Sequence, residues 1–298
     1  MDTKNLITFI TFAKEKSYLK TSMKLNYAPS TLADHIAQLE QELHVKLVET
    51  VNRKATLTRQ GEAFLPHAKN ILHSIAIAKD ALDNTTTLKG SITIGTVESL
   101  AAYRLESLFL DFLSLHPDIS LAVKSANSAT LPSRLRNGEF DVVFLYDCKS
   151  SSYPEIDSTH LFHDRLRFCV SPTHRLAAKK YVTAADLRHE TFLYQREDCC
   201  YYEAFIELIE REHLQIRHRL QTDNPSLIRK YVAKGKGISL LPQSMTEEDV
   251  HSQKLCYLDW KGEEMILQGQ MLTLPKRWQS AALSEFIHFS KSYYQQIP

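Results

Sequence analysis

At 298 residues, 43% hydrophobic and 24% charged, the chain has the composition of an ordinary globular protein and enough length for about two domains. Its net charge of +1 excludes a polycation, and the lack of any apolar run long enough to cross a bilayer excludes a spanning helix. Five cysteines, an odd count, with no basic-then-apolar leader ahead of the first helix, argue against a secreted disulfide framework and for free thiols in the cytoplasm.

Charge is uneven along the chain: residues 1–60 carry nine Lys/Arg against six Asp/Glu, which suits a phosphate-facing surface as well as a merely solvated one. Leu6, Phe9, Ile10 and Ala13 recur at helical spacing and predict a helix over 3–15. A second helix fits Leu19 to Leu25, and Asn26, Tyr27 and Ala28 form a turn. Pro29 suits a first helical position, and Leu32, Ile36, Leu39 and Leu43 make one apolar stripe. The outer face of that third helix carries Ser30, Thr31, Asp34, His35 and Gln38, side chains that can offer hydrogen bonds to base edges in a major groove, and Pro29 at the helix start joins them in the candidate DNA contact. Arg53 and Lys54, between two short extended segments, read as the tip of a wing that tracks phosphate or a narrow minor groove.

Residues 61–86 form a long helical pattern in which Phe64, Ala68, Ile71, Ile75, Ala78 and Leu82 repeat as a heptad seam. Such a seam suits pairing with a second copy, and packing within the chain is the alternative. Pro66 is expected to kink or tighten the first turns, and residues 84–87 to begin a hinge. From Leu88 the period changes. Strands are expected at 91–95, 120–125, 141–146, 167–171, 191–194, 217–221, 237–241 and 268–274. Helices are expected at 101–115, 129–137, 184–187, 202–212, 225–233 and 281–294. Alternation of this kind predicts parallel sheet covered on both faces, divided here into two small α/β lobes with a cleft.

The blocks FxxxAxxxSYxxxSxxLNYAPSTLADHIAQLEQEL and LTRQGEAFLP, then LKGSITIG, FLSLHPDISL, RLRNGEFDVVFLYD and VAKGKGISLLP, occur in this order. On these landmarks the whole chain resembles the LysR-type transcriptional regulators. The resemblance implies an α/β protein with an N-terminal, all-α-dominated winged helix-turn-helix over 1–60. A dimerising linker helix and hinge would follow over 61–87, and a periplasmic-binding-protein-like effector domain over 88–298. Lobe I would comprise 88–161 and 268–298, and lobe II 162–267, with crossings at Leu161 to Leu166 and Glu264 to Gln268. It further implies double-stranded promoter DNA, a small-molecule effector, self-association as a dimer or tetramer, and RNA polymerase as partners. Some residues depart from the family pattern: Thr21 and Ser22 replace an alanine pair, Asp34 an arginine, His44 a helix-ending glycine, and Val48 and Thr50 an aromatic and an arginine.

In two-lobed α/β domains ligands bind beyond the carboxyl ends of strands. That places Glu98, Ser99, Leu100, Asn127, Ser128, Asp147, Cys199, Tyr201 and Asn224 in a candidate effector site, each with a cap or turn role as its alternative. A helix start at Ser99 suits an anionic group, and Glu98 with Asp147 suits an amine, so an anionic or amino-acid-like effector is expected. Cys199 and Cys200 admit a thiol-based redox sensor instead, although adjacent cysteines bridge poorly. A solute-binding protein would account for the lobes but not for the DNA block. No catalytic constellation appears, so neither an enzyme nor a cofactor is expected. His160-x-x-His163 has a metal-like spacing without a cysteine or carboxylate cluster beside it; it reads as a surface pair, and no metal is expected. Gly235-Lys236-Gly237 lacks the remainder of a phosphate loop and reads as a helix stop.

Overall fold

Short polar residues set where the first helices begin. In a computed structural model, which describes residues 1–51, 54–81, 88–147, 153–195, 200–214, 217–222, 224–275 and 279–295, Asp2 caps helix α1 (Thr3–Glu15) by accepting from the Lys4 N–H at 2.8 Å. Lys16 ends it in the left-handed region at φ 50. Ser17 caps α2 (Tyr18–Leu25), and Asn26 ends that helix at φ 54. Pro29 opens α3 (Pro29–Leu43), and His44 closes it at φ 55, where its N–H reaches the Glu40 and Gln41 carbonyls. The left-handed turn expected of a glycine is thus made by a histidine.

Strands β1 (Val48–Val51) and β2 (Lys54–Leu57) pair antiparallel, from Val48 opposite Leu57 to Val51 opposite Lys54. Helix α4 (Arg59–Ala81) follows, capped by Thr58, whose Oγ1 accepts from the Gly61 N–H at 2.9 Å and donates to the Lys46 carbonyl at 2.6 Å. Any Cβ on Gly61 would lie 2.1 Å from the Leu47 carbonyl oxygen, so only glycine fits there. Leu6, Phe9, Leu39, Leu47 and Ala68 make the core of this part. The helix passes through Pro66 as one element. Ala68 of the expected seam is fully buried against this core and Phe64 packs on it, whereas Ile75 is half-buried and Ala78 exposed. Leu82 and the expected hinge lie outside the described residues.

The chain divides into two units: residues 1–87 with 133–140 and 276–281, and residues 88–132 with 141–275 and 282–298. The second unit contains β3 (Gly90–Thr96), α5 (Glu98–Tyr103), α6 (Glu106–Leu115), β4 (Ile119–Ser125), α7 (Leu131–Arg136), β5 (Val142–Asp147) and β6 (Asp157–Val170), although α7 itself spans the division. After them come α8 (Ala184–Leu187), β7 (Thr191–Gln195), α9 (Cys200–Arg211), β8 (Arg217–Thr222), α10 (Pro225–Ala233) and β9 (Ser239–Pro242). The last are α11 (Gln243–His251), β10 (Cys256–Tyr257), β11 (Ile266–Thr273) and α12 (Ala281–Gln295).

A sheet of seven strands runs β10-β6-β11-β5-β3-β4, with β9 also paired to β6. It is mixed, not parallel throughout. β3 pairs parallel with β4 and β5, while β11 enters antiparallel between β5 and β6. β7 and β8 form a separate parallel pair. Phe109, Phe112, Phe144 and Phe286 pack the first lobe, and Phe168, Phe192, Phe205, Ile228 and Val232 lie in the core of the second.

Three expectations are corrected in detail. The helix expected over 101–115 is two helices, because the Arg104 and Leu105 N–H groups converge on one carbonyl, that of Leu100. The helix expected at Ala129 begins as a 3-10 turn, Ser128–Thr130, before α7. The strand expected at 167–171 is the second half of β6, which runs unbroken through Leu161 to Leu166. No helix among the described residues is long and apolar enough to cross a membrane.

Candidate functional site

Two groups of residues need placing. In the first unit, the α3 stripe of Leu32, Ile36 and Leu39 is at most 3% exposed, which turns the opposite face outward. Pro29, Ser30, Asp34 and Gln38 are exposed, and Thr31 and His35 are half-buried. The helix start carries no side-chain cap, since Ala28 occupies the capping position. His35 and Gln38 have work inside the unit. His35 Nδ1 lies 2.9 Å from Thr8 Oγ1, its ring meets Tyr27 edge-on at 5.3 Å, and Gln38 Oε1 accepts from Asn5 Nδ2 at 3.2 Å. These contacts fix the roll of α3 on α1. Ser22 Oγ donates to the Tyr27 carbonyl at 2.6 Å and secures the turn between α2 and α3.

Lys54 is exposed at the start of β2, opposite Val51. Arg53 lies outside the described residues. The hairpin is anchored by Glu40, a buried carboxylate of α3. Its Oε1 accepts from the Leu47 and Val48 N–H groups at 2.8 and 3.0 Å, and its Oε2 binds Lys46 at 2.6 Å. Burial alone would push the Glu40 carboxyl up, but Lys46 and the two backbone donors outweigh it and hold the group below the usual carboxylate range.

In the second unit, Thr96 ends β3 fully buried, and Val97 leads into α5 with no side-chain cap. Ser99 and Tyr201 are brought together: both are buried, and their hydroxyls lie 3.1 Å apart, joining α5 of one lobe to α9 of the other. Leu100 is instead a core residue, fully buried. Glu98 is exposed. Asn127 caps the 3-10 turn by accepting from the Ala129 N–H at 2.8 Å, next to half-buried Ser128. Asn224 caps α10 by accepting from the Leu227 N–H at 3.0 Å. Asp147 is buried and accepts from Gln270 Nε2 at 3.2 Å, so its charge is engaged within the sheet. Cys199 lies outside the described residues, and Cys200 is the half-buried first residue of α9.

Sequence reasoning missed two further hydrogen-bonded clusters near the Ser99–Tyr201 pair. Tyr103, one turn on from Ser99, places its hydroxyl 3.2 Å from Ser226 Oγ, with the Arg229 guanidinium 4.9 Å over its ring. Arg229 in turn donates its Nε–H to Asp249 at 2.8 Å. The Ser99 and Tyr103 spacing was the signal available, since residues four apart share one helix face. Asp164 is the second. Buried in the middle of β6, it accepts from the Tyr146 hydroxyl at 2.6 Å and from the backbone N–H and hydroxyl of Ser244 at the start of α11. Burial, then the Asp164 carboxylate, push the Tyr146 phenol well above its ordinary range, so it stays a donor.

Comparison with known proteins covers both units. The family model described as "Bacterial regulatory helix-turn-helix protein, lysR family" matches residues 3–62, and "LysR substrate binding domain" matches residues 85–295. The HTH-type transcriptional regulator YwqM of Bacillus subtilis is 27% identical over 299 residues, covering 99% of this chain and all of that protein. A full-length OxyR variant from Pseudomonas aeruginosa superposes with a TM-score of 0.76 at 18% identity, covering 99% of this chain and 95% of that one. The CcmR regulatory domain of Synechocystis PCC6803, in complex with 2-PG, matches with a TM-score of 0.64 at 20% identity, covering 70% of this chain and all of that one. At these identities the structural likeness speaks to fold alone.

Proposed function

The chain belongs to the LysR family of DNA-binding transcriptional regulators, which pair a helix-turn-helix with an effector-binding domain and are not enzymes, and on that premise we propose how its residues divide the work. The reading of this chain as a solute-binding protein falls with the helix-turn-helix match. Residues 1–60 bind promoter DNA, with Pro29, Ser30, Thr31 and Asp34 at the base edges, His35 and Gln38 setting the pose of α3, and Arg53 and Lys54 on phosphate. The observation that carries this reading is the division of α3 into a fully buried stripe and an open, short-chained polar start. Asp34 is suited to accept from a cytosine amino group. Binding to a promoter fragment should weaken steeply with added salt, because released counterions drive it; a flat salt response would sink the proposal.

Residues 61–87 pair two copies, through the later turns of α4 where Ile75 and Ala78 are not covered by the core of the unit. Dimers then combine into tetramers, act in the cytoplasm and meet RNA polymerase. Residues 88–298 bind a small effector between lobe I (88–161 and 268–298) and lobe II (162–267). The Ser99–Tyr201 hydroxyl pair supports this placement, because a polar ligand can exchange that bond for its own. Ser128, Asn127, Glu98 and Asn224 supply the rest of the site, with Cys199 as a further candidate; the hydroxyl and amide donors suit an anionic group and the Glu98 carboxylate accepts from an ammonium, so an anionic or amino-acid-like effector fits. The CcmR domain is described with 2-PG, which agrees with a small ligand here. A thermal-shift screen of the protein against metabolites tests the site: a ligand that binds only the native state raises the melting temperature. Ser128→Ala should blunt that rise for the same ligand, and an unaltered dose response would remove Ser128 from the site.

A thiol switch is the second reading, favoured by Cys200 in the first turn of α9, where helix N–H groups stabilise a thiolate. Loss of an oxidant response in Cys199→Ser or Cys200→Ser, with DNA binding intact, would support it.

A further inference from the structure

His160 and His163 read in the sequence as a surface pair, with no cysteine or carboxylate cluster beside them. Residues three apart on a regular strand point to opposite faces. The register of β6 against β11 changes this. Gln268 faces His163 and Gly269 faces Phe162, but Gln270 faces His160, so Leu161 is skipped by a bulge. The extra residue restores both histidines to one side of the sheet, the side of Gln268 and Gln270. Their rings stand 4.4 Å apart between centroids, tilted by 44°. Phe162, between them in sequence, turns to the other side, where its ring covers Gly269 and packs on Tyr294 at 4.6 Å.

We infer that His160 and His163 form a binding site for a divalent transition ion of the zinc, nickel or copper type, built by the bulge in β6. Imidazole nitrogen suits these ions. A tetrahedral ion with bonds of about 2.0–2.1 Å needs two nitrogens about 3.3 Å apart, which rings at this spacing can supply. Both side chains are exposed, so an ion has access from solvent. Among the described residues no group of three or more His, Cys, Asp and Glu side chains could hold a metal, so water completes this shell. The site is a two-ligand chelate, exchangeable and open, unlike a closed structural zinc centre.

The test is a count of bound metal. Full-length protein stripped with a chelator is dialysed against Ni2+ or Zn2+, and metal per chain is measured. His160→Gln and His163→Gln should each hold one ion fewer than the wild type, while His288→Gln, on exposed α12 surface, should lose none. Equal counts in all four proteins, or an equal loss in His288→Gln, would overturn the site. A measurement on the wild type needs no variant: on Zn2+ addition, two of the thirteen histidine ring signals should shift together. No shift, or a shift spread over many rings, would overturn it as well.

Discussion

Lys54 and Glu40 illustrate two ways in which a charged side chain acts at the proposed DNA surface. Lys54 is exposed on β2 and meets phosphate in the proposed complex. Lys54→Ala should weaken binding to all sequences alike and reduce the salt slope of log K by about 0.9, one counterion's worth; filter binding at several salt concentrations measures it. Glu40 acts indirectly, by holding the base of the hairpin to α3. Glu40→Ala removes charge-assisted bonds and strands two backbone donors, and should cost about 2 kcal/mol in denaturant unfolding of the N-terminal unit. Because the folded pKa of Glu40 is depressed, its contribution is complete above the unfolded value of about 4.3 and is lost as pH falls through the lower folded value. The sequence disclosed that Ser30 and Asp34 face outward, since the apolar stripe leaves them no other direction. It could not disclose that His35 and Gln38 bond Thr8 and Asn5, because those partners come from another helix.

Among the elements, the join between β2 and α4 is the most tightly specified. Thr58 caps the helix and Gly61 makes room for the Leu47 carbonyl. Gly61→Ala should destabilise the N-terminal unit by about 2 kcal/mol, because backbone has no rotamer with which to yield; the midpoint of chemical unfolding reports it. Elements with one strong pattern were legible: the α3 stripe, the continuous apolar run of β5, and α10 between Asn224 and Lys234. The first half of β6 was not, since the bulge puts Leu161 and Phe162 inward in succession and breaks the alternation. Helix α11 carries too weak an apolar stripe, burying only Met245 and Thr246. The break between α5 and α6 was hidden because both sides favour helix and no Gly or Pro marks the stop.

For the molecule as a whole, the heptad seam of α4 is shared between two uses. Its first positions, Phe64 and Ala68, pack on the core of their own unit, and the proposed contact between copies falls to Ile75 and its neighbours. Ile75→Asp should shift sedimentation toward the monomer and weaken binding to a two-half-site promoter more than to a single half-site. Fold class and division of labour were legible in the sequence, because each motif carries its own spacing. The candidate effector site was legible only as a set of strand ends. Which of these residues meet, as Ser99 and Tyr201 do, depends on how two lobes close, and no local pattern encodes that.

The placement of β11 carries a consequence for synthesis. This strand lies between β5 and β6, yet it ends at Thr273, late in the chain. A nascent chain halted before Ile266 has β5 and the first half of β6 with nothing to pair between them, so their facing backbone groups stay exposed edges. The N-terminal helices can close as soon as α4 leaves the ribosome, while the larger sheet must wait for nearly the whole polypeptide, the interval in which a chaperone has most to protect.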